Sequence, residues 1–165
     1  MIDMKIKSAL CLGLLLCAGA AQSAEVTFTM NVPKPTCNVT VAPNKNLGVL
    51  NRGTQTHPDI PVSISCDGVV KNALTARPVT ANVLQNDNIR LVVPMGGNAA
   101  LPGGPFLWLK SANKDIRLTG ALNDAFCTVT GQSQTCNVTP VTEVGPNAAV
   151  GDGSVTVRFD MVYPA

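Results

Sequence analysis

The sequence predicts an all-β sandwich of the immunoglobulin-like kind, on three observations. Short β-like runs recur between Gly-, Pro- and Asn-rich turn signals along the chain. No stretch carries the 3.6-residue apolar period of an amphipathic helix. Two strictly alternating rows stand near the ends, Glu25-Val26-Thr27-Phe28-Thr29-Met30-Asn31-Val32 and Ser154-Val155-Thr156-Val157-Arg158-Phe159-Asp160-Met161-Val162-Tyr163. Charged residues are only 13% of the 165, which suits such a domain.

In chain order, Lys5 and Lys7 precede an apolar stretch from Ala9 to Ala20 that is too short to span a bilayer. Residues 1–23 therefore read as a secretory signal peptide, with Ala24 the first residue of a mature chain of about 142 residues. Cleavage after Ala24 would also satisfy the small-residue rule. Lipid attachment at Cys17 is disfavoured by the bulky Leu14-Leu15-Leu16 before it. No later run is long enough for a membrane span, so the chain reads as exported and soluble. Losing Asp3, Lys5 and Lys7 lowers the formal charge from +2 to +1. Without a basic excess or interleaved basic and aromatic residues, nucleic-acid binding has no support. The length is that of one domain with a real core.

Successive strand side chains point to opposite faces, so Val26, Phe28, Met30 and Val32 share one face of the first row. Pro33 and Pro35 then end regular pairing by removing amide donors. Further runs follow at Asn38 to Val41, Leu47 to Leu50, Ile60 to Cys66, Ile89 to Val93, Phe106 to Lys110 and Asp115 to Thr119. In the third of these Ile60, Val62, Ile64 and Cys66 alternate inward. Pro94-Met95-Gly96-Gly97, Pro102-Gly103-Gly104-Pro105 and the stretch from Gly145 to Gly153 are turns or loops. Val155, Val157, Phe159, Met161 and Tyr163 form the apolar row of the last strand. Terminal segments fray unless tied down, so the two rows predict that both ends are paired, each with a partner molecule in view.

Cys11 and Cys17 leave with the signal peptide. Cys37, Cys66, Cys127 and Cys136 remain, an even set in an oxidising compartment, and two disulfides are the default. Counting allows three pairings; the spacing favours Cys37 with Cys66 and Cys127 with Cys136. The latter pair lies in two Thr/Val-rich runs around Gly131-Gln132-Ser133, which read as a stapled hairpin. Loop closure is worth about 3.5 kcal/mol for the first bridge and about 2.5 kcal/mol for the second. No metal is expected, because there is no C-x-x-C spacing and His57 is the only histidine. No cofactor motif, nucleophile elbow, phosphate loop or paired-carboxylate arrangement stands out, so no enzyme is expected. Trp108, flanked by apolar residues on both sides, reads as core rather than as a ligand platform, and His57-Pro58-Asp59 as a loop.

These residues resemble the subunits of chaperone-usher pili, especially the minor and adaptor pilins of type 1 and P pili. The resemblance covers the mature chain. It rests on the segment Ala24 to Val32 leading to Cys37-Asn38-Val39, on Cys66 about thirty residues later at a strand end, and on Gly153 followed by the row ending in Tyr163. Three features depart from the family pattern: Pro164-Ala165 follow Tyr163, the first row lacks a Gly, and Cys127 with Cys136 is an extra bridge.

The resemblance implies an incomplete sandwich, lacking its last strand and completed by a donor strand from a partner. It divides the chain into the signal peptide, an N-terminal donor-strand extension over 24–36 and a pilin domain over 37–165. A periplasmic chaperone would pair with the row Val155 to Tyr163 and hold the terminal carboxylate of Ala165. At the outer-membrane usher, the extension of a neighbouring subunit would replace the chaperone by strand addition. This chain would lend Val26, Phe28, Met30 and Val32 to its own neighbour. The destination is a fimbria on the cell surface and the role is adhesion. Two alternatives are weighed: the first row could be a strand of a self-complete sandwich, and the chain could be a single-domain adhesin that binds a host receptor directly.

Overall fold

The computed structural model describes residues 26–165. The signal peptide, Ala24 and Glu25 lie outside the described residues. The chain divides into two units, one ending at Val32 and one running from Pro33 to Ala165, and each is taken by itself.

In the first unit, residues 26–32 form no strand, and Val26, Phe28, Met30 and Val32 are between 73% and 87% exposed. The C-terminal row is paired within the chain, and the pairing expected of residues 26–32 is with another molecule.

The second unit is an all-β structure whose pairings are all antiparallel. Its strands are β1 (Cys37–Thr40), β2 (Gly53–Thr56), β3 (Ile60–Pro78), β4 (Leu91–Val92), β5 (Phe106–Ser111), β6 (Lys114–Asp115), β7 (Phe126–Val144) and β8 (Val157–Val162). A single 3-10 turn, Leu122–Asp124, precedes β7. The strand order is β1-β3-β7-β5-β4, with β2 on β7, β6 on β5 and β8 on β3. Strand β7 links two layers, because its first part pairs with β3 while residues 139–144 run between β5 and β2. Side chains from both layers fill the core, among them Val62, Ile64, Leu74, Leu91, Leu109, Ile116, Leu118 and Val138.

The two long strands double back together. Residues 60–65 of β3 pair with 138–133 of β7 and residues 70–74 with 131–126, with a register shift between Ser65 and Val70. Nine residues of extended strand would span about 30 Å. Yet the Cα atoms of Cys127 and Cys136 are 6.1 Å apart and bridged. A polar knot sits at the fold-back: the buried Asn72 amide donates to the carbonyls of Val70 (3.1 Å) and Gly131 (3.3 Å). Gln134 Nε2 donates to Asn72 Oδ1 (2.5 Å) and to the Cys127 carbonyl (2.9 Å). Sequence reading placed a two-stranded hairpin here. The structure instead has one continuous strand, both halves of which lie along β3.

Other expectations need correcting. Leu47 to Leu50 is not a strand: Asn46 Oδ1 accepts the Gly48 amide (2.8 Å), Gly48 takes a φ of 76°, and Val49 is exposed. The side chain thus competes for backbone that a ladder would need. Strand β3 does not stop at Cys66 but continues to Pro78. Of Asp115 to Thr119 only Asp115 pairs, with Lys110, after a two-residue turn in which Ala112 and Asn113 both have positive φ. Ile116 and Leu118 then enter the core as single residues.

Asp87 organises the loop before β4. Its carboxylate accepts the amides of Ile89 (2.9 Å) and Arg90 (3.0 Å) and Nε of Arg90 (2.8 Å). Burial alone would raise its pKa, but the two amides and the Arg90 guanidinium outweigh that and hold it at about 2. A carboxyl lowered in the folded state contributes stability above its unfolded pKa and loses it as pH falls through the folded value. The stability gap between the parent and Asp87→Asn, read from denaturant midpoints, should therefore be full at neutral pH and close as pH falls from 3.8 toward about 2. Asn72→Ala, which strands the carbonyls and the Gln134 amide at the fold-back, should cost about 1 to 3 kcal/mol in the same measurement.

Candidate functional site

Strand β8 is hydrogen-bonded to β3 along one edge only, with Val157↔Pro78, Phe159↔Ala76 and Met161↔Leu74 among the opposed pairs. Among the described residues no strand lies along its other edge. Around Leu74, β3 carries β7 on one side and β8 on the other; at Ser63 to Ser65 it carries β7 and β1. Strands β1 and β8 therefore occupy the same side of β3, opposite β7.

The side chains on this side are unfinished core. Val155, Val157, Phe159 and Met161 pack against the buried cluster, as do Val39 and Val41 from β1 and its exit, but all six remain only partly buried. Their opposed partners in β3, Leu74 and Ala76, are almost completely buried. The Phe159 ring meets Phe126 edge to face at 6.5 Å. On the outward face Asp160 pairs with Arg77 (3.3 Å) and Arg158 (2.9 Å), exposed contacts worth little. The result is an apolar strand edge with free backbone donors and acceptors beside a half-covered row, a combination that folded domains normally blunt with charge or proline.

Tyr163 closes the end of this edge in a way that alternation did not reveal. Its hydroxyl donates to the carbonyl of Pro35 (2.5 Å), and Lys34 Nζ sits 5.7 Å from the centre of its ring. The tip of the last strand is thus pinned to the residues just before β1. Lys71 Nζ donates to the backbone oxygen of Ala165. Cys37 and Cys66 are bridged and directly opposed across the β1–β3 ladder, and Cys127 is bridged to Cys136. The N-terminal residues Val26, Phe28, Met30 and Val32 form no strand and are exposed.

Among the described residues, no group of three or more His, Cys, Asp or Glu side chains is placed to hold a metal ion. His57 Nε2 lies 2.8 Å from Thr142 Oγ1 in the loop ahead of β3. No described helix is long and apolar enough to cross a membrane.

No protein-family model matches the sequence, and no curated protein matches it. Solved structures do. A subunit from a structure of a chaperone-usher pilus, solved to explain how its rod uncoils, is 19% identical, with 87% of this chain and 96% of that one covered and a TM-score of 0.52. The P pilus rod subunit PapA is 16% identical, with 76% of this chain and 98% of that one covered and a TM-score of 0.54. At these identities the likeness is one of fold, and it agrees with the strand arrangement described above.

Removing the Tyr163 hydroxyl leaves the Pro35 carbonyl without its donor while keeping the ring. Tyr163→Phe should therefore lower unfolding free energy by about 0.5 to 1.5 kcal/mol in chemical denaturation.

Proposed function

We propose that this chain, which has the incomplete immunoglobulin-like fold of chaperone-usher pilus subunits, is a structural subunit of a chaperone-usher fimbria, assembled by donor-strand complementation and exchange. One observation carries the reading: the domain leaves the outer edge of β8 unpaired beside a half-buried apolar row, while the chain also holds an exposed alternating segment that forms no strand. The two are chemically complementary, an edge without a strand and a strand without an edge.

In the periplasm a chaperone lends a strand to the edge of β8, covering Val155, Val157, Phe159 and Met161. Basic groups of the chaperone take over the Ala165 carboxylate, which requires displacing Lys71. At the usher, the extension of a neighbouring subunit replaces the chaperone strand. The segment Val26 to Val32 of this chain then serves the next neighbour in the same way, and the finished fibre contributes to adhesion at the cell surface. Burying Val26, Phe28, Met30 and Val32 contributes on the order of 6 to 12 kcal/mol, beside a ladder of main-chain hydrogen bonds. Ordering the segment costs about 1 to 2 kcal/mol per residue, so completion of the acceptor's core must supply the remainder.

Charged substitutions on the two rows separate the two roles. When the chain is co-expressed with the chaperone and usher of its system, Phe159→Asp should reduce recovery of the chaperone complex by roughly tenfold or more. Phe28→Asp should leave that complex intact and block incorporation of the neighbouring subunit. Normal assembly of both variants would overturn the reading.

A further inference from the structure

Trp108 does not lie in the core, contrary to the expectation from its neighbours. Along β5 it is Leu109 that enters the buried cluster, and the alternation turns Phe106, Trp108 and Lys110 to the opposite face. There Trp108 lines a cleft of about 280 Å³ together with Ile89 and five charged residues, Asp87, Arg90, Lys110, Asp115 and Glu143.

The charged groups are not equally occupied. Asp87 is saturated by its three donors and belongs to the loop's architecture. Arg90 is fixed on two sides, by its Nε on Asp87 and by its guanidinium carbon 5.2 Å from the centre of the Phe106 ring. Among the described residues its terminal nitrogens have no acceptor. Lys110 and Asp115 form a loose pair at 3.7 Å. Among the described residues, too, the Glu143 carboxylate has neither a hydrogen bond nor an ion pair, and the Trp108 indole N–H has no acceptor. Because no buried side-chain nitrogen or oxygen among the described residues lacks a partner, that N–H reaches solvent. The cleft thus combines an aromatic ring with free donors and a free acceptor.

We propose that this cleft binds a neutral pyranose sugar, its ring packed on the Trp108 indole and its hydroxyls bonded to Glu143, the indole N–H and the terminal nitrogens of Arg90. A hydroxyl both donates and accepts, so a ring of hydroxyls satisfies a mixed set of this kind. An anion would meet three carboxylates against two cations, and a purely apolar ligand would strand the polar groups. The volume falls just below the usual range for small-molecule sites, roughly 300 to 1,000 Å³, which suits one sugar ring. The cleft uses neither β8 nor residues 26–32, so it stands apart from the assembly reading and its test fails independently.

Trp108 is the only tryptophan of the chain, so its fluorescence reports on this site alone. The mature chain, kept folded by a tryptophan-free donor-strand peptide where the proposed assembly requires one, is titrated with the methyl glycosides of glucose, galactose, mannose and N-acetylglucosamine, with N-acetylneuraminic acid as the anionic contrast. Saturation-transfer NMR provides the second readout. At least one neutral glycoside should shift the emission saturably, with an affinity of roughly millimolar for a ligand of this size. Glu143→Gln should weaken it by roughly fivefold, and Trp108→Phe, read by NMR, by a similar factor, with unchanged melting temperatures. Leu122→Ser, at an exposed residue outside the cleft, should bind as the parent does. Three results overturn the proposal: no saturable response to any neutral glycoside, a response to neuraminic acid alone, or full affinity in a folded Glu143→Gln variant.

Discussion

Backbone amides and carbonyls beside a hydrophobic core must be met by a partner, and along the outer edge of β8 the described residues supply none. The packing deficit falls in the same place as the hydrogen-bonding deficit. Leu74 and Ala76 in β3 are fully buried, while Phe159 and Met161 directly opposite them are covered on one side only. A strand added at that edge would correct both deficits at once.

A domain short of one strand must draw stability from elsewhere, and the fold-back of β3 and β7 is where reinforcement is concentrated. The Asn72–Gln134 knot bonds the carbonyls of Val70, Gly131 and Cys127 beside the register shifts. The Cys127–Cys136 bridge spans the same bend, and the Cys37–Cys66 bridge ties β1 to β3 beside the shift. Each bridge is worth about 2 to 4 kcal/mol, comparable with the core contribution that one or two missing apolar side chains would make. The polar knot also has a structural consequence: it fixes where the long ladder turns, and hence which residues of β3 are offered to β1 and which to β8.

Features that depend on period-2 alternation were legible in the sequence: the row from Val155 to Met161, the inward set Val62, Ile64 and Cys66, and the all-β class. Features that depend on a partner strand were not. Strand β2, Gly53-Thr54-Gln55-Thr56, has no apolar residue and exists because β7 lies beside it. The segment Leu47 to Leu50 has the right composition but no neighbour. The region around Cys127 carries turn residues yet continues as one strand, because the bend is made jointly with β3 and by a positive φ at Cys127, which a non-glycine residue seldom adopts. Trp108 was misread for a related reason. Apolar residues on both sides of it hide the parity of the strand, and only the burial of Leu109 reveals which face is inside.

Tyr163 shows how alternation can place a residue correctly and still miss what it does. Its position continues the apolar row, but its hydroxyl reaches the Pro35 carbonyl and its ring lies under Lys34. The end of the edge that lacks a strand is therefore tied to the residues that lead into β1, two positions ahead of the Cys37 bridge. Under the proposed assembly, an incoming strand that presses on Met161 and Tyr163 acts on a residue already bonded to the root of the donor extension. Because Pro33 and Pro35 have no amide to join a ladder, the extension cannot continue regular pairing through that root.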